Sequence, residues 1–360
     1  MRSRYREFGA VGILAACCLA MPVGAAVIDA TATATADVHE VVQGVAGPGD
    51  AAELTFPENT LPLQVIARHV IPEETAAGLI AAQFSDPNTA LTDDTDQFAI
   101  DLALSSVASD ASHQARGAAE EARQILYSVG ELGSQAEGET VPLRGRLFLD
   151  GALAIFAETD VVDLTGVRVS FHVTVEKEAA GATETVFDGA LELTGGPNRQ
   201  VNTTVTGDFP RLGIFNADLT GVDPDLAVFR AAVFPGLVVN YNYDAVVGQP
   251  LTLRAKVGVD AANVPGGSGV AAVIGTPVEA LQDVISRTRG SATAQKMTTA
   301  LTQERQSPTG TPLATAQTSN TAPCPCLSAC GLVGFEAVAG LVALVGWRTT
   351  SHPVRRARRR

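Results

Sequence analysis

Strict alternation of apolar and polar residues in the segment 167–175 limits the fold more than any other feature of the chain. Its apolar members are Val167, Val169, Phe171, Val173 and Val175, and polar residues stand between them. Successive side chains of a β-strand point to opposite faces, so this pattern places all five apolar side chains on one face. The segment is therefore predicted to be a strand with one buried face.

Further strands are predicted on both sides of this segment, at 147–156, 185–194, 201–206, 227–234, 237–243, 251–259 and 270–274. Turn-forming Gly, Pro, Asn and Asp residues separate many of them, as at 195–198 and 221–225. Many short strands with Gly- and Pro-rich turns predict an all-β fold, either a β-sandwich or a jelly roll.

The sequence on either side of these strands is less regular. Strands at 52–56, 64–71, 79–84 and 98–107 are compatible with the same sandwich. Two short helices are also predicted from apolar residues at helical spacing, one over 112–127 and one over 277–288. The exported domain is thus expected to span residues 27–290, with its best-defined strands between 145 and 275.

Charge and composition exclude several classes of function. The 360 residues contain 39 Asp and Glu against 25 Lys and Arg, for a net charge of -14, and 46% of them are apolar. Such a chain can bury a core, which excludes disordered and fibrous proteins. Its negative charge repels phosphate backbones, and basic residues cluster only at the two ends, so no nucleic-acid partner is expected.

The N-terminus has the three parts of a secretory signal: Arg2, Arg4 and Arg6, an apolar run from 9 to 23, and small residues at 24–26. Residues 1–26 are predicted to be a signal peptide, cleaved after Ala25 or Ala26. An alternative is lipidation, because Leu14-Ala15-Ala16-Cys17 resembles a bacterial lipobox. The apolar run continues beyond Cys17, which favours ordinary cleavage.

The C-terminus contains an apolar segment followed by arginines. Residues 327–347 have the length of a bilayer core and are predicted to be a transmembrane segment, although Glu336 lies inside it. Residues 348–360 form a basic tail, predicted to be cytoplasmic. The preceding residues 291–326, rich in Thr, Ala, Pro and Gln, are predicted to be a tether.

This C-terminal pattern resembles the sorting signals of bacterial surface proteins, of which the PEP-CTERM class is the best known. The resemblance depends on a short motif, an apolar segment and a terminal arginine cluster; the residues are Pro323, Cys324, Pro325, Cys326, Cys330, Arg355, Arg356, Arg358, Arg359 and Arg360. It implies recognition by a membrane protease of the exosortase type. The Pro-Glu-Pro motif itself is replaced here by Pro-Cys-Pro-Cys, which leaves the processing enzyme open.

No catalytic motif is complete. His39-Glu40 begins like a zinc-protease helix, but Gln43 stands where a second histidine is needed. One weak metal site is predicted, for calcium, because five oxygen-bearing side chains fall within eleven residues: Asp86, Asn88, Asp93, Asp94 and Asp96. A solvated acidic loop is the alternative. Tyr241 and Tyr243 share one strand face and form either a packing pair or a small sugar platform.

Taken together, these features predict an exported, acidic, non-catalytic protein of the cell surface or outer envelope. Its expected partners are the membrane, through the C-terminal segment, and the signal peptidase or sorting machinery. No cofactor is expected unless calcium binds. The alternatives are a surface module that binds carbohydrate or calcium and, less favoured, an envelope hydrolase.

Overall fold

Two β-sheets packed face to face form the body of the protein in a computed structural model. The structure describes residues 26–40, 50–56, 66–70, 76–85, 97–108, 113–129, 135–264, 267–275 and 290–314, together with a few single positions. Strands dominate these residues, and one α-helix of several turns accompanies them. The predicted all-β class is confirmed.

Sheet A contains seven of the strands that the structure describes. They are β1 (Ala26–Glu40), β2 (Asp50–Phe56), β6 (His113–Leu126), β8 (Arg168–Ala179), β9 (Ala182–Gly195), β10 (Val201–Gly207) and β13 (Pro250–Val264). Their order across the sheet is β10-β9-β8-β13-β6-β1-β2, and every neighbouring pair is antiparallel. Sheet A therefore joins strands that lie more than 200 residues apart in the sequence, such as β1 and β13.

Sheet B contains the other eight described strands. They are β3 (Ile66–Val70), β4 (Ala76–Ser85), β5 (Gln97–Ala108), β7 (Thr140–Glu158), β11 (Phe215–Asp218), β12 (Leu226–Val246), β14 (Ser268–Ile274) and β15 (Thr311–Pro312). Their order is β15-β11-β12-β7-β14-β5-β4-β3. The pairs are antiparallel except for a short parallel contact between β5 and β7.

The core lies between the two sheets. Phe171 of β8 stacks on Phe234 of β12 with ring centroids 5.6 Å apart, and Phe209 packs edge-on against both rings. Val169, Val173 and Val175 of β8 are buried beside Phe171, as the alternation predicts. Inward-facing aliphatic residues of both sheets extend this cluster.

Most predicted strands are confirmed, including those on the N-terminal side of residue 108. The predictions 52–56, 64–71, 79–84 and 98–107 correspond to β2, β3, β4 and β5. The two predicted strands at 227–234 and 237–243 are one long strand, β12, with an irregularity between Phe234 and Leu237. Gly236 has a positive φ of 57° there, which lets the chain bend without ending the strand.

The predicted helix at 112–127 is wrong, because this segment is strand β6. Ala, Glu, Gln and Arg are good helix formers, and their abundance here produced the helical pattern. Every second residue from Ala115 to Ile125 faces the interior instead. β6 is hydrogen-bonded to β1 on one side and β13 on the other, and this tertiary pairing outweighs local propensity.

The predicted tether begins too early, because its first part forms helix α1 (Ser291–Gln306). Ala294, Met297 and Leu301 recur at helical spacing and are buried against the outer face of sheet B, in a cluster with Phe229 and Val273. After α1 the chain adds the short strand β15 to the edge of β11. Residues 291–312 are thus part of the folded body.

Membrane-spanning structure was predicted only for residues 327–347, which lie outside the described residues. Among the residues that the structure describes, no helix is both long enough and apolar enough to cross a bilayer. Most of the predicted helix at 277–288 also lies outside them.

Candidate functional site: a groove across sheet A

The outer face of sheet A carries a groove that runs across its strands. Strand register places Thr35 of β1 opposite Ala118 of β6, and Ala118 opposite Gly258 of β13. These three residues form the floor of what we call the sheet A groove. Their neighbours along each strand point inward, as shown by the buried Ala36, so the floor residues point outward.

Small side chains make the floor lower than its surroundings. Two adjoining cavities, of about 510 and 420 Å³, share Thr35, Ala118 and Gly258. A Cβ added at Gly258 would meet only the carbonyl oxygen of Gly117, at 4.0 Å. The glycine therefore leaves open space at the middle of the groove.

Charged residues form one wall, two residues along each strand from the floor. Asp37, Arg116 and Asp260 are opposite one another on β1, β6 and β13. The Arg116 Nε lies 2.8 Å from the Asp260 Oδ1, and both side chains remain substantially exposed. This wall offers both a guanidinium donor and carboxylate acceptors.

The opposite wall also alternates in charge. Lys256 of β13 lies between two carboxylates, with its Nζ 3.7 Å from Glu120 Oε2 and 3.4 Å from Glu176 Oε2. Arg254 forms a further ion pair with Glu120. Partly exposed ion pairs of this kind contribute little stability, about 0–1 kcal/mol each. These ion pairs place hydrogen-bond donors and acceptors in a regular pattern along the wall.

A histidine closes the end of the groove on β8. His172 is opposite Gly258, and its Nε2 lies 2.7 Å from the Oδ1 of Asp188 on β9. Ser170 lies two residues before His172, so the two side chains point to the same side. A histidine paired with a carboxylate is one element of a hydrolytic site, but a nucleophile activated by that histidine is also needed. No hydrogen bond from Ser170 to His172 is found among the described residues.

A second cleft lies at the lateral edge of the sandwich, between β10 and β11. Its volume is about 380 Å³. Thr203 donates its hydroxyl to Asn216 Oδ1 across 2.7 Å, and Arg230 pairs with Asp218. Burial lowers the pKa of Arg230, although a guanidinium stays protonated at any physiological pH. These contacts close the edge and explain the cleft as a structural feature.

The structure locates few of the residues that the sequence proposed as sites. Asp86, Asn88, Asp93, Asp94 and Asp96 lie outside the described residues, as do Ala25 and the whole C-terminal motif and arginine cluster. Ala26 is the first residue of β1. Within the described part of the chain, no group of three or more metal-binding side chains comes together.

Tyr241 and Tyr243 are a packing pair. Their rings lie 6.0 Å apart, both are buried, and Tyr243 shares a hydrogen bond of 2.6 Å with the hydroxyl of Tyr127. A sugar platform at these rings is therefore contradicted.

Sequence reasoning missed the groove because its floor is assembled from three distant segments. One signal was available, the alternation of Ala and Thr from Ala30 to Ala36, which is typical of a strand with small inward residues and hydroxyls outside. The Val-Gly-Val sequence around Gly258 was another, since a glycine inside a strand often marks a close approach or an open site.

Comparison with known proteins gives no family. No protein-family model and no curated protein matches the chain. Among solved structures, the enzymatically active domain of tailspike protein 4 from bacteriophage CBA120 aligns at 11% identity and a TM-score of 0.13, covering 58% of this chain and 19% of that one. The VP2 subviral particle of infectious bursal disease virus aligns at 12% identity and a TM-score of 0.12, covering 78% and 74%. The chain thus spans about a fifth of the tailspike domain, and scores this low carry no argument about function.

Proposed function

We propose that the chain is a non-catalytic protein of the cell surface or outer envelope, exported by residues 1–26 and held or sorted by its C-terminal segment. One observation carries the proposal: the strands that the structure describes run from Ala26, at the start of β1, to Pro312, at the end of β15. The first of them begins where the signal peptide is predicted to end. The last of them ends before Pro323, where the sorting motif is predicted to begin. Cleavage after Ala25 would leave every strand that the structure describes intact, and cleavage after Ala26 would remove only the first residue of β1.

The arrangement of charges in the sheet A groove supports a non-catalytic role. Arg116 pairs with Asp260, Lys256 with two glutamates, and His172 with Asp188. Catalytic acids and bases are usually buried at least in part, whereas Arg116, Asp260 and Lys256 remain exposed within their ion pairs. The groove is better suited to contact a ligand than to transform one.

Intact-mass measurement on the protein from its native cell envelope tests the proposal. A mass that begins near Ala26 or Val27 and ends before Arg355 is the expected result. A full-length mass in the cytoplasmic fraction would refute export. A mass that retains Arg360 in the membrane fraction would refute sorting by cleavage and replace it with a permanent anchor, and acyl chains on Cys17 would replace the predicted cleavage with lipidation.

A further inference from the structure

We propose that the sheet A groove binds a neutral, hydroxyl-rich polymer of the class of an unsubstituted glycan. The proposal goes beyond export and anchoring, because the groove belongs to the folded body and would bind its ligand wherever the protein resides. It is argued from the shape of the floor, the order of charges along the walls and the direction in which the groove crosses the strands.

The dimensions of the groove fit an extended chain of rings. Its walls lie four residues apart along each strand, which is about 13 Å. From β1 through β6 and β13 to β8 it crosses three strand spacings, about 14 Å. Sugar rings often pack on aromatic side chains, but a flat floor of Ala118 and Gly258 also lets the face of a ring approach closely. The floor thus accepts a ring without an aromatic residue.

The alternation of positive and negative side chains along both walls favours a neutral ligand over a charged one. Along one wall the sequence of groups is Asp37, Arg116, Asp260, and along the other Glu120 and Glu176 flank Lys256. An anionic or a cationic polymer would meet like charges on both walls. A hydroxyl group both donates and accepts hydrogen bonds, so it can bind carboxylates and cationic groups in alternation. A polyol therefore uses every group in the walls.

The direction of the groove disfavours a peptide. A peptide usually joins a sheet by hydrogen-bonding to the backbone of an edge strand. The groove instead crosses β6 and β13, which are interior strands whose backbone groups are already paired on both sides. A ligand in this position is recognised by side chains alone. Alternating side-chain donors and acceptors suit the hydroxyl groups of a glycan better than the widely spaced amides of a peptide.

Isothermal titration calorimetry on the full-length chain in detergent tests the proposal. The probes are cellohexaose, mannohexaose and maltohexaose as neutral glycans, hexagalacturonic acid as an anion, hexalysine as a cation and a Gly-Ser peptide of similar length. Binding of at least one neutral glycan and none of the other probes is the expected result. No binding to any neutral glycan, or tighter binding of a charged chain or the peptide, would overturn the proposal.

Two variants place the binding in the groove. Gly258→Leu places a side chain on the floor, where its Cβ meets no atom closer than 4.0 Å, and is expected to weaken glycan binding at least about tenfold. Its matched control is Gly221→Leu, at a glycine with open space that lies outside both cavities of the groove, which should bind like wild type. Equal binding by both variants would place the ligand elsewhere.

The double variant Arg116→Ala/Asp260→Ala tests the wall chemistry. It removes one positive and one negative group, so the net charge stays the same and general electrostatic attraction does not change. If wall groups bind hydroxyls, affinity should fall about tenfold while the melting temperature stays near that of wild type. If this variant binds the glycan with wild-type affinity, the proposed binding of hydroxyl groups by the wall side chains is wrong.

Discussion

Gly145 lies against the ring of the buried Tyr241, which sits opposite it on β12, and this contact leaves no room for a side chain at position 145. Gly145→Ala is therefore expected to lower the free energy of unfolding by about 1–3 kcal/mol through overpacking. Gly258→Ala makes the same chemical change in open space and should raise it by up to about 1 kcal/mol. Urea unfolding of both variants checks the pair, and destabilisation of equal size would contradict the contact.

Glu121 and Arg123 form an ion pair inside the sandwich. Both side chains are almost completely buried on the inner face of β6, and the Arg123 Nε lies 2.5 Å from the Glu121 Oε1. Arg123→Met leaves a carboxylate in the interior and should cost about 3–5 kcal/mol. Adding Glu121→Leu removes that charge, so the double variant should be more stable than the single one. If the destabilisation caused by the two single substitutions simply adds up in the double variant, Glu121 and Arg123 are not coupled.

At the residue scale, the sequence predicts inward-facing residues where large apolar and polar side chains alternate, as in β8. The sequence did not predict that Glu121 and Arg123 are buried, because charged residues are expected at the surface. The local pattern also does not show that the two side chains pair. Nor could it place Ala118 beside Thr35 and Gly258, since their proximity depends on strand register and not on local pattern.

Helix α1 is held to the sandwich by polar contacts as well as by its apolar face. Asp223 is buried beneath it, with its Oδ2 3.0 Å from the Lys296 Nζ and 3.2 Å from the Thr293 hydroxyl. A hydrogen bond from the amide of Asp225 and the contact with Lys296 lower the pKa of Asp223. Near the C-terminus of α1, Arg305 pairs with Asp150 at 3.1 Å.

A lowered pKa has a defined consequence for stability. The carboxylate of Asp223 contributes fully above the ordinary aspartate pKa of about 3.9 and progressively less as pH falls through the lowered folded-state value. Asp223→Asn should therefore destabilise the protein most at neutral pH, with a difference from wild type that shrinks below about pH 4. Urea unfolding at a series of pH values measures this difference. The exposed neighbour variant Asp225→Asn keeps the contact with Lys296 and serves as the control; a pH-independent difference for Asp223→Asn would refute the assignment.

Elements with strong alternation, such as β8 and β13, could be predicted from the sequence, and those with weak or conflicting patterns could not. β6 was predicted to be a helix because its residues favour helices in isolation, and pairing on both sides decides otherwise. α1 was predicted to be part of a tether because the segment contains few large apolar residues. The aromatic and aliphatic surface that buries Met297 and Leu301 belongs to sheet B, which local sequence does not reveal.

For the whole molecule, the folded body includes α1 and β15. A chain that ends after Ala314 should unfold with the same midpoint as one that ends at 326, because both retain these elements. A chain that ends at residue 289 loses the buried Met297 and Leu301 and exposes the outer face of sheet B, including Phe229. Truncating a single buried side chain of this size costs about 2–5 kcal/mol, so losing the whole helix should lower the free energy of unfolding by more than that. The exposed apolar face should also cause aggregation. Thermal unfolding and size-exclusion chromatography compare the three chains, and equal stability of the shortest one would contradict the docking of α1.

The order of strands in sheet A determines when this protein can fold during synthesis. β1 leaves the ribosome first, yet its neighbour β6 begins at His113 and the next strand, β13, ends only at Val264. The centre of the sheet therefore cannot assemble until most of the chain has been made. Pairings between such distant segments are slow to form, because each requires a long loop to close. The nascent chain must stay soluble through this delay, and its excess of carboxylates, whose mutual repulsion opposes collapse and aggregation, suits it to do so.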